Sequence, residues 1–136
     1  HRTSPAAFNS NLAQVMGNGY PDGIGAEVFD RVALEQAAAL STDPGDREHP
    51  HRNFFDYGTQ RPRDARRFPV ATVECPAEFR RPDLVLDVNT KAQYDFIARL
   101  YADLYPGNPR FHIRDIVHWY DEVWRAHQGQ TVSAGR

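Results

Sequence analysis

Leu84-Val85-Leu86-Asp87-Val88-Asn89 runs directly into Thr90, with Gln93 three residues further on. An aliphatic, partly β-branched run of this kind predicts a strand. A threonine followed at the third position by glutamine is the signature of a capping box, so a helix should start at once. A strand delivered straight to a capped helix commits this stretch to an α/β architecture. With a side-chain period of two, Leu84, Leu86 and Val88 share one face, and Val85, Asp87 and Asn89 share the other. Open α/β sheets bind ligands beyond the carboxyl ends of their strands, so Asp87 and Asn89 stand where two oxygen donors would meet a divalent cation. A polar strand end before a helix cap is also an ordinary arrangement, and spacing alone favours it by about three to one.

The rest of the chain is punctuated by breakers. Residues 1–19 are turn-rich, and Tyr20-Pro21-Asp22-Gly23 marks a turn. A short strand is expected over 24–29, then a helix over 32–40 capped by Asp30. Asp43 caps a further helix with Pro44 at its first position, where the missing N–H has no partner to lose. Pro50 should split the segment 45–57 into a short helix and a bent continuation. Residues 70–75 predict a strand stopped by Pro76. In the helix after Thr90, Tyr94, Ile97, Ala98, Tyr101, Leu104 and Tyr105 fit one apolar face, ended by Pro106-Gly107-Asn108-Pro109. A final helix over 112–127 carries Ile113, Ile116, Val117, Tyr120 and Trp124, a stripe widened by Trp119 and Val123, so burial on two sides or in an interface is expected. Residues 128–136 read as a tail. The strands are too few for a complete doubly wound sheet.

At 136 residues, 40% hydrophobic and 25% charged, the chain has the size and composition of one domain with its own core. A net charge of -2 gives no basic excess of the kind that nucleic-acid binding uses. The single cysteine, Cys75, cannot form an internal disulfide, which fits a reducing compartment, here read as the cytoplasm, or a chain that simply needs no bridge. No apolar run approaches the ~20 residues of a membrane helix, and the first fifteen residues lack the apolar core of a secretory signal. The chain begins at His1 and its only methionine is Met16, so a missing N-terminal part is expected.

Asp46-Arg47-Glu48-His49 places four polar side chains in one turn, with an arginine fork suited to a carboxylate or phosphate. The competing interpretation is a solvated helix start, where acidic residues favour the dipole, and composition alone prefers it. His49-Pro50-His51 lacks the third and fourth ligands that zinc needs. Arg61, Arg63, Arg66, Arg67, Arg80 and Arg81 form a local basic region, but with only Phe68 and Phe79 beside it a solvated loop outweighs an RNA surface. There is no GxxxxGK[ST], GxGxxG or GxSxG sequence.

Three stretches together resemble one family. Phe8-Asn9-Ser10-Asn11 followed by Tyr20-Pro21-Asp22-Gly23-Ile24-Gly25-Ala26-Glu27-Val28-Phe29 is similar to "SN…YPDGLDVEVF". Asp43-Pro44-Gly45-Asp46-Arg47-Glu48-His49 is similar to "P-x-DREHV", and Arg81-Pro82-Asp83-Leu84-Val85-Leu86-Asp87-Val88-Asn89-Thr90 to "RPDLRLTVDT". The order and spacing match across almost the whole chain. The family is the spore coat polysaccharide biosynthesis protein F type of cytidylyltransferase, related to the CMP-KDO and acylneuraminate cytidylyltransferases.

The resemblance implies the C-terminal half of a three-layer α/β/α, Rossmann-like nucleotidyltransferase fold spanning residues 1–136. It implies an enzyme that transfers CMP from CTP to a sugar or sugar acid with Mg²⁺, releasing pyrophosphate and giving an activated CMP-sugar for surface polysaccharide. This half would supply sugar contacts, homodimer contacts and one metal-binding carboxylate. Carried onto this sequence, Asp22, Glu27, Arg47, Glu48 and His49 bind the acceptor and Asn89 stands at the metal position, while Asp87, two residues back on the same face, would compensate for the charge that Asn89 lacks. No catalytic residue is assigned, and neither nucleic acid nor membrane is expected as a partner. The family's glycine- and arginine-containing nucleotide segment, of the type "ARxxSxRLPGK", is not in this sequence, so the chain alone should be inactive. The family's metal aspartate is Asn89 here, its arginine in "LRL" is Val85, its "PEDL" is Lys91-Ala92-Gln93-Tyr94, and its "HVTPYIY" has become His49-Pro50-His51-Arg52-Asn53-Phe54-Phe55. Those departures favour the alternative: a catalytically degenerate binding or assembly module of the same fold.

Overall fold

Asp30 opens the first helix as its sequence position requires. It follows a strand, β2 (Glu27–Phe29), and its side chain accepts a hydrogen bond from the Ala33 N–H at 3.0 Å, capping α1 (Arg31–Leu40). Such a cap contributes about 1 kcal/mol. The computed structural model describes residues 5–12 and 15–126. They fall into two compact units, one within His1–Tyr20 and Ile24–Cys75 and the other within Pro21–Gly23 and Pro76–Arg136. Helices mix with small sheets in an α and β arrangement.

In the first unit β1 (Phe8–Ser10) is the central strand of three. It pairs antiparallel with β2, Phe8 opposite Phe29, and parallel with β5 (Val70–Thr72), Phe8 opposite Val70. The strands expected over 24–29 and 70–75 thus form, but three residues long each. Behind the sheet, Phe8 stacks on Phe29 at 4.9 Å between ring centroids, and Phe54 packs on Phe8, Phe29 and Phe68. Val15, Ala33 and Ala37 complete this core. Burying one such aromatic contributes ~1.5–3 kcal/mol, which is how three short strands hold together. Asn18, 1% exposed, ties the sheet to its loops: its amide donates to the Leu12 carbonyl at 2.7 Å and to the Thr72 hydroxyl at 3.0 Å.

Asp43 caps α2 (Pro44–Glu48) through the Gly45 N–H at 2.8 Å, with Pro44 at the first position. Pro50 ends that helix and starts a 3₁₀ turn, Pro50–Asn53, the split that its missing N–H dictates. A two-residue ribbon follows, β3 (Phe55–Asp56) against β4 (Arg61–Pro62).

The second unit corrects the strand expected over 84–89. Only Val85 bridges, in parallel, to Asp22. The Asp22 N–H donates to the Leu84 carbonyl and the Leu86 N–H to the Asp22 carbonyl, both at 2.9 Å. The alternation holds only at its start: Leu84 is buried and Val85 exposed, but Val88, on the face of Leu84 by the period of two, is exposed as well. An extended segment with one backbone partner makes one bridge rather than a ladder, however good its side-chain pattern.

Thr90 caps α3 (Lys91–Leu104) as expected, accepting from the Gln93 N–H at 3.2 Å, while the Gln93 carbonyl oxygen accepts from the Asn89 N–H at 2.8 Å. The face of α3 differs from expectation. Leu100 is buried, with Phe96, Ile97 and Leu104 half-buried, whereas Tyr94, Tyr101 and Tyr105 are exposed. Tyrosine and leucine both score as apolar in a periodicity count. Here Phe96, one position round from Ile97, is the residue that meets the next helix edge-on.

That helix, α4 (Ile113–Trp119), continues through one π turn, Tyr120–Trp124. The extra residue of the π turn rotates the stripe, so Trp119, 3% exposed, and half-buried Trp124 both pack on Phe96, at 5.5 and 4.8 Å. Val117 and Trp119 are buried, while Ile113, Ile116, Tyr120, Val123 and Trp124 are half-buried. The helix is described to residue 126, so His127 and the tail lie outside the described residues. No helix among the described residues is long and apolar enough to cross a membrane.

Candidate functional site

The C-terminal end of α2 and the 3₁₀ turn after it carry the densest group of chemically active side chains in the first unit. Glu48 and His49 end α2, exposed, with His49 Nε2 3.9 Å from Glu48 Oε1. Pro50 turns the chain so that His51 lies beside His49, ring centroids 5.7 Å apart, and faces β2. There its Nδ1 is 2.8 Å from Glu27 Oε1. The Tyr57 ring meets His51 edge-on at 4.9 Å, and its hydroxyl donates to the same Glu27 oxygen at 3.4 Å.

The side chains of His51 and Glu27 are each 22% exposed. Burial lowers the His51 pKa from its ordinary 6.5, and His49 and Arg52 push the same way against the attraction of Glu27. His51 is therefore neutral at pH 7. A carboxylate only accepts, so the single ring proton lies on Nδ1 and Nε2 keeps its lone pair. Tyr57 is pushed up to about 12, first by burial and then by the Glu27 charge, and stays a phenol. The arrangement is a carboxylate-oriented imidazole with a free basic nitrogen, the geometry of a general base or hydrogen-bond acceptor.

Arg47 is exposed on α2 and lines a cleft of about 290 Å³ with Leu34, Ala38, Ser41, Pro50 and Asn53. Arg52 is committed elsewhere, to Asp43 at 3.2 Å and towards Asp46 at 3.4 Å.

The residues expected to bind an acceptor thus divide. Glu27, Arg47, Glu48 and His49 belong to the first unit, and the structure brings Glu27 to the histidine turn beside Glu48 and His49. Asp22 belongs to the second unit, as do Asp87 and Asn89. His51 and Tyr57 were not singled out as site residues from the sequence. The signal for His51 was present in His49-Pro50-His51, but it was weighed only as a metal pair. Tyr57 carried no signal, because what marks it is contact with a strand thirty residues away.

In the second unit Asp22 Oδ1 accepts from the Gly23 N–H at 3.0 Å. Gly23, at φ +86°, lets the turn lie against Leu86 and Asp87: a Cβ there would stand 2.8 Å from Asp87 Oδ1. Asn89 is exposed. One carboxylate and one amide oxygen suit Mg²⁺, which takes one or two carboxylates and fills its remaining positions with water and substrate phosphate. A fuller cage is not formed, since no three His, Cys, Asp or Glu side chains gather as metal ligands among the described residues.

The Arg81-Pro82-Asp83 stretch has a structural task. Arg81 Nε donates to both Asp121 oxygens at 3.0 Å, and Asp83 accepts from Tyr120 at 3.0 Å and from Arg125. These bonds pin the π turn to the start of the 84–89 segment. No family model matches the chain, and neither a curated protein nor a solved structure matches it.

Proposed function

We propose that this chain is the acceptor-binding part of a cytidylyltransferase, which transfers CMP from CTP to a hydroxyl of a sugar or sugar acid. One observation carries the reading. Glu27, in the stretch 20–29, stands 2.8 Å from His51, two residues beyond the stretch 43–49 and in the part of the chain that departs from the family's pattern. Short matches are a weak signal separately, and the proximity of two of them within the first unit supports the reading.

In this reading the acceptor hydroxyl oxygen attacks the α-phosphorus of CTP. The bond from that phosphorus to the bridging oxygen breaks, and pyrophosphate leaves. The hydroxyl proton goes to His51 Nε2, with Glu27 holding the ring and stabilising the imidazolium that forms. Arg47 orients an anionic acceptor, and Glu48 and His49 hydrogen-bond its hydroxyls. Asp87 and Asn89 would hold Mg²⁺, which offsets the charge of the triphosphate when bound. The complete enzyme has the three-layer Rossmann-like fold, works in the cytoplasm, and needs a nucleotide-binding half and a second copy as a homodimer.

The test is pyrophosphate release by the chain joined to such a half, with CTP, Mg²⁺ and a panel of sugar acids. His51→Gln should lower kcat by about 10²–10⁴-fold with KM little changed. Release unaffected by His51→Gln would remove His51 from the chemistry, and no release with any acceptor would overturn the reading. Asn89 and Val85 favour a second reading, a degenerate module that binds the acceptor without turnover. Acceptor binding with no release in the joined protein is its signature.

A further inference from the structure

The segment 84–89 has the side chains of a strand and a backbone partner on one edge only. Asp22 takes that edge, donating to the Leu84 carbonyl and accepting from the Leu86 N–H, both at 2.9 Å. Successive residues of an extended chain turn their N–H and C=O to opposite edges. Val85, between the two bonded residues, therefore directs both groups away from Asp22. No described residue bonds the backbone groups of Val85 there, and those of Asp87 and Val88 are unbonded among the described residues as well. Val85 is 37% and Val88 53% exposed, so the uncovered stretch is apolar too. An open edge of this kind is a template for another strand.

A cleft of about 250 Å³ adjoins it, lined by Val85, Ala92, Gln93, Phe96, Tyr120 and Trp124. Phe96 and Trp124 meet edge-on there at 4.8 Å. The polar groups around the cleft are engaged. Asp83 accepts from Tyr120 and Arg125, and the Gln93 side-chain oxygen accepts from the Asn89 N–H and the Thr90 hydroxyl. What remains is an aromatic wall, of a volume below the usual range for cofactors and drug-sized ligands and suited to one large apolar side chain. The edge presents a donor and an acceptor, whose opposite partial charges are matched by another extended backbone. Strand addition joins these two features, since backbone bonds hold the added chain while a pocket takes one of its alternate side chains. A second copy of the same segment does not fill the cleft, because its exposed apolar side chains are the small ones of Val85 and Val88.

We infer that the open edge at Val85 takes a β-strand of another polypeptide, with one large apolar side chain of that strand in the Phe96–Tyr120–Trp124 cleft. Neither CTP nor an acceptor enters the test, so its outcome is separate from that of the transferase reading.

The probe is the acetylated and amidated peptide Thr-Val-Thr-Phe-Thr-Val-Lys, titrated into the isotope-labelled chain and followed at the backbone amides. The Val85 amide should shift saturably, and its hydrogen exchange should slow when the peptide is bound. Replacing the peptide's phenylalanine by serine should weaken binding about tenfold or more. Two further peptides, methylated on the amide nitrogens of one edge or of the other, separate backbone from side-chain recognition. One of the two should bind about tenfold more weakly or worse, and which one it is gives the direction of the added strand. Val85→Pro removes the edge donor and should weaken the parent peptide to a similar extent, with circular dichroism reporting on folding. The peptide variants keep the test decisive if that substitution unfolds the chain. Equal binding of both methylated peptides would reduce the site to an apolar pocket and overturn the inference, as would the absence of any shift at Val85 up to millimolar peptide. Dimers of the chain that Val85→Pro abolishes and the peptide does not displace would make a second copy the occupant, and would overturn it too.

Discussion

His51 Nδ1 stands 2.8 Å from Glu27 Oε1, and that contact joins the turn after α2 to strand β2. It sets the tautomer, and burial sets the charge. Together they leave a neutral imidazole whose second nitrogen is available for chemistry.

The titration of His51 follows from those two terms. Burial lowers its pKa from 6.5 and Glu27 opposes the shift. An NMR titration should place the His51 midpoint below 6.5, and Glu27→Gln should move it lower still, because the attraction for the cation is removed. A midpoint at or above 6.5 in the unaltered chain would refute the burial argument. The same shift has a stability consequence. The unfolded chain binds the His51 proton more readily, so the contribution is present above 6.5 and is lost as pH falls through 6.5 towards the folded pKa. The melting temperature should drop across that window, and His51→Gln should flatten the drop.

Capping and breaking residues were legible in the sequence because they act within four residues. Asp30, Asp43 with Pro44, Pro50 and Thr90 all sit where their chemistry requires. The segment 84–89 was not legible, since a strand needs a neighbour and alternation does not reveal whether one is beside it. Face assignment on α3 failed for a related reason. Tyr94, Tyr101 and Tyr105 share a stripe, but the packing partner, Phe96 against Trp119 and Trp124, is chosen by α4 and its π turn. In the site, Glu27 and the Asp46–His49 turn could be singled out from their neighbours in sequence. Tyr57 could not, because its contact with Glu27 depends on how the chain folds.

The Arg81–Asp121 pair should be a structural clamp. Both side chains are about three-quarters buried, and the pairing is bidentate. Arg81→Gln should cost roughly 1–2 kcal/mol in denaturant unfolding after allowance for residual exposure. Arg81 holds the Asp121 carboxyl below its ordinary 3.8. Burial alone pushes Asp83 up, but bonds from Arg125 and Tyr120 outweigh it and hold that group down too. Stability from such groups is present above 3.8 and lost as pH falls through their folded values. Acid unfolding below about pH 4 should therefore be blunted in Arg81→Gln relative to its own neutral-pH stability. An unchanged acid profile would assign the clamp no energetic role.

Gly23 should tolerate no side chain. Its φ of +86° lies in the left-handed region, and a Cβ would stand 2.8 Å from the Leu86 carbonyl carbon and the Asp87 nitrogen, both backbone atoms that cannot swing aside. Gly23→Ala should destabilise the chain by about 1–3 kcal/mol, read by urea unfolding. Gly17, also at positive φ but with open space around it, is the control: Gly17→Ala should cost less. Equal costs would mean that strain alone, and not the close approach of the 84–89 segment, decides the effect.

The metal expectation divides between Asp87 and Asn89, and the two can be separated. An amide oxygen donates to Mg²⁺ without offsetting charge, whereas a carboxylate does both. In the chain joined to a nucleotide-binding half, Asn89→Asp should lower the Mg²⁺ concentration needed for half-maximal pyrophosphate release. Asp87→Ala should raise it if Asp87 supplies the charge that Asn89 lacks. Asp87 also lies against the Gly23 turn, so its loss could act through folding. Asp87→Asn keeps the shape and removes the charge, and it should raise the Mg²⁺ requirement as Asp87→Ala does. A requirement raised by the alanine but not by the asparagine would make Asp87 a packing residue. If none of the three variants shifts the Mg²⁺ dependence, the end of the 84–89 segment is not a metal site, and a chain with Val85 and Asn89 in place of charged residues is better read as a module that binds and does not turn over.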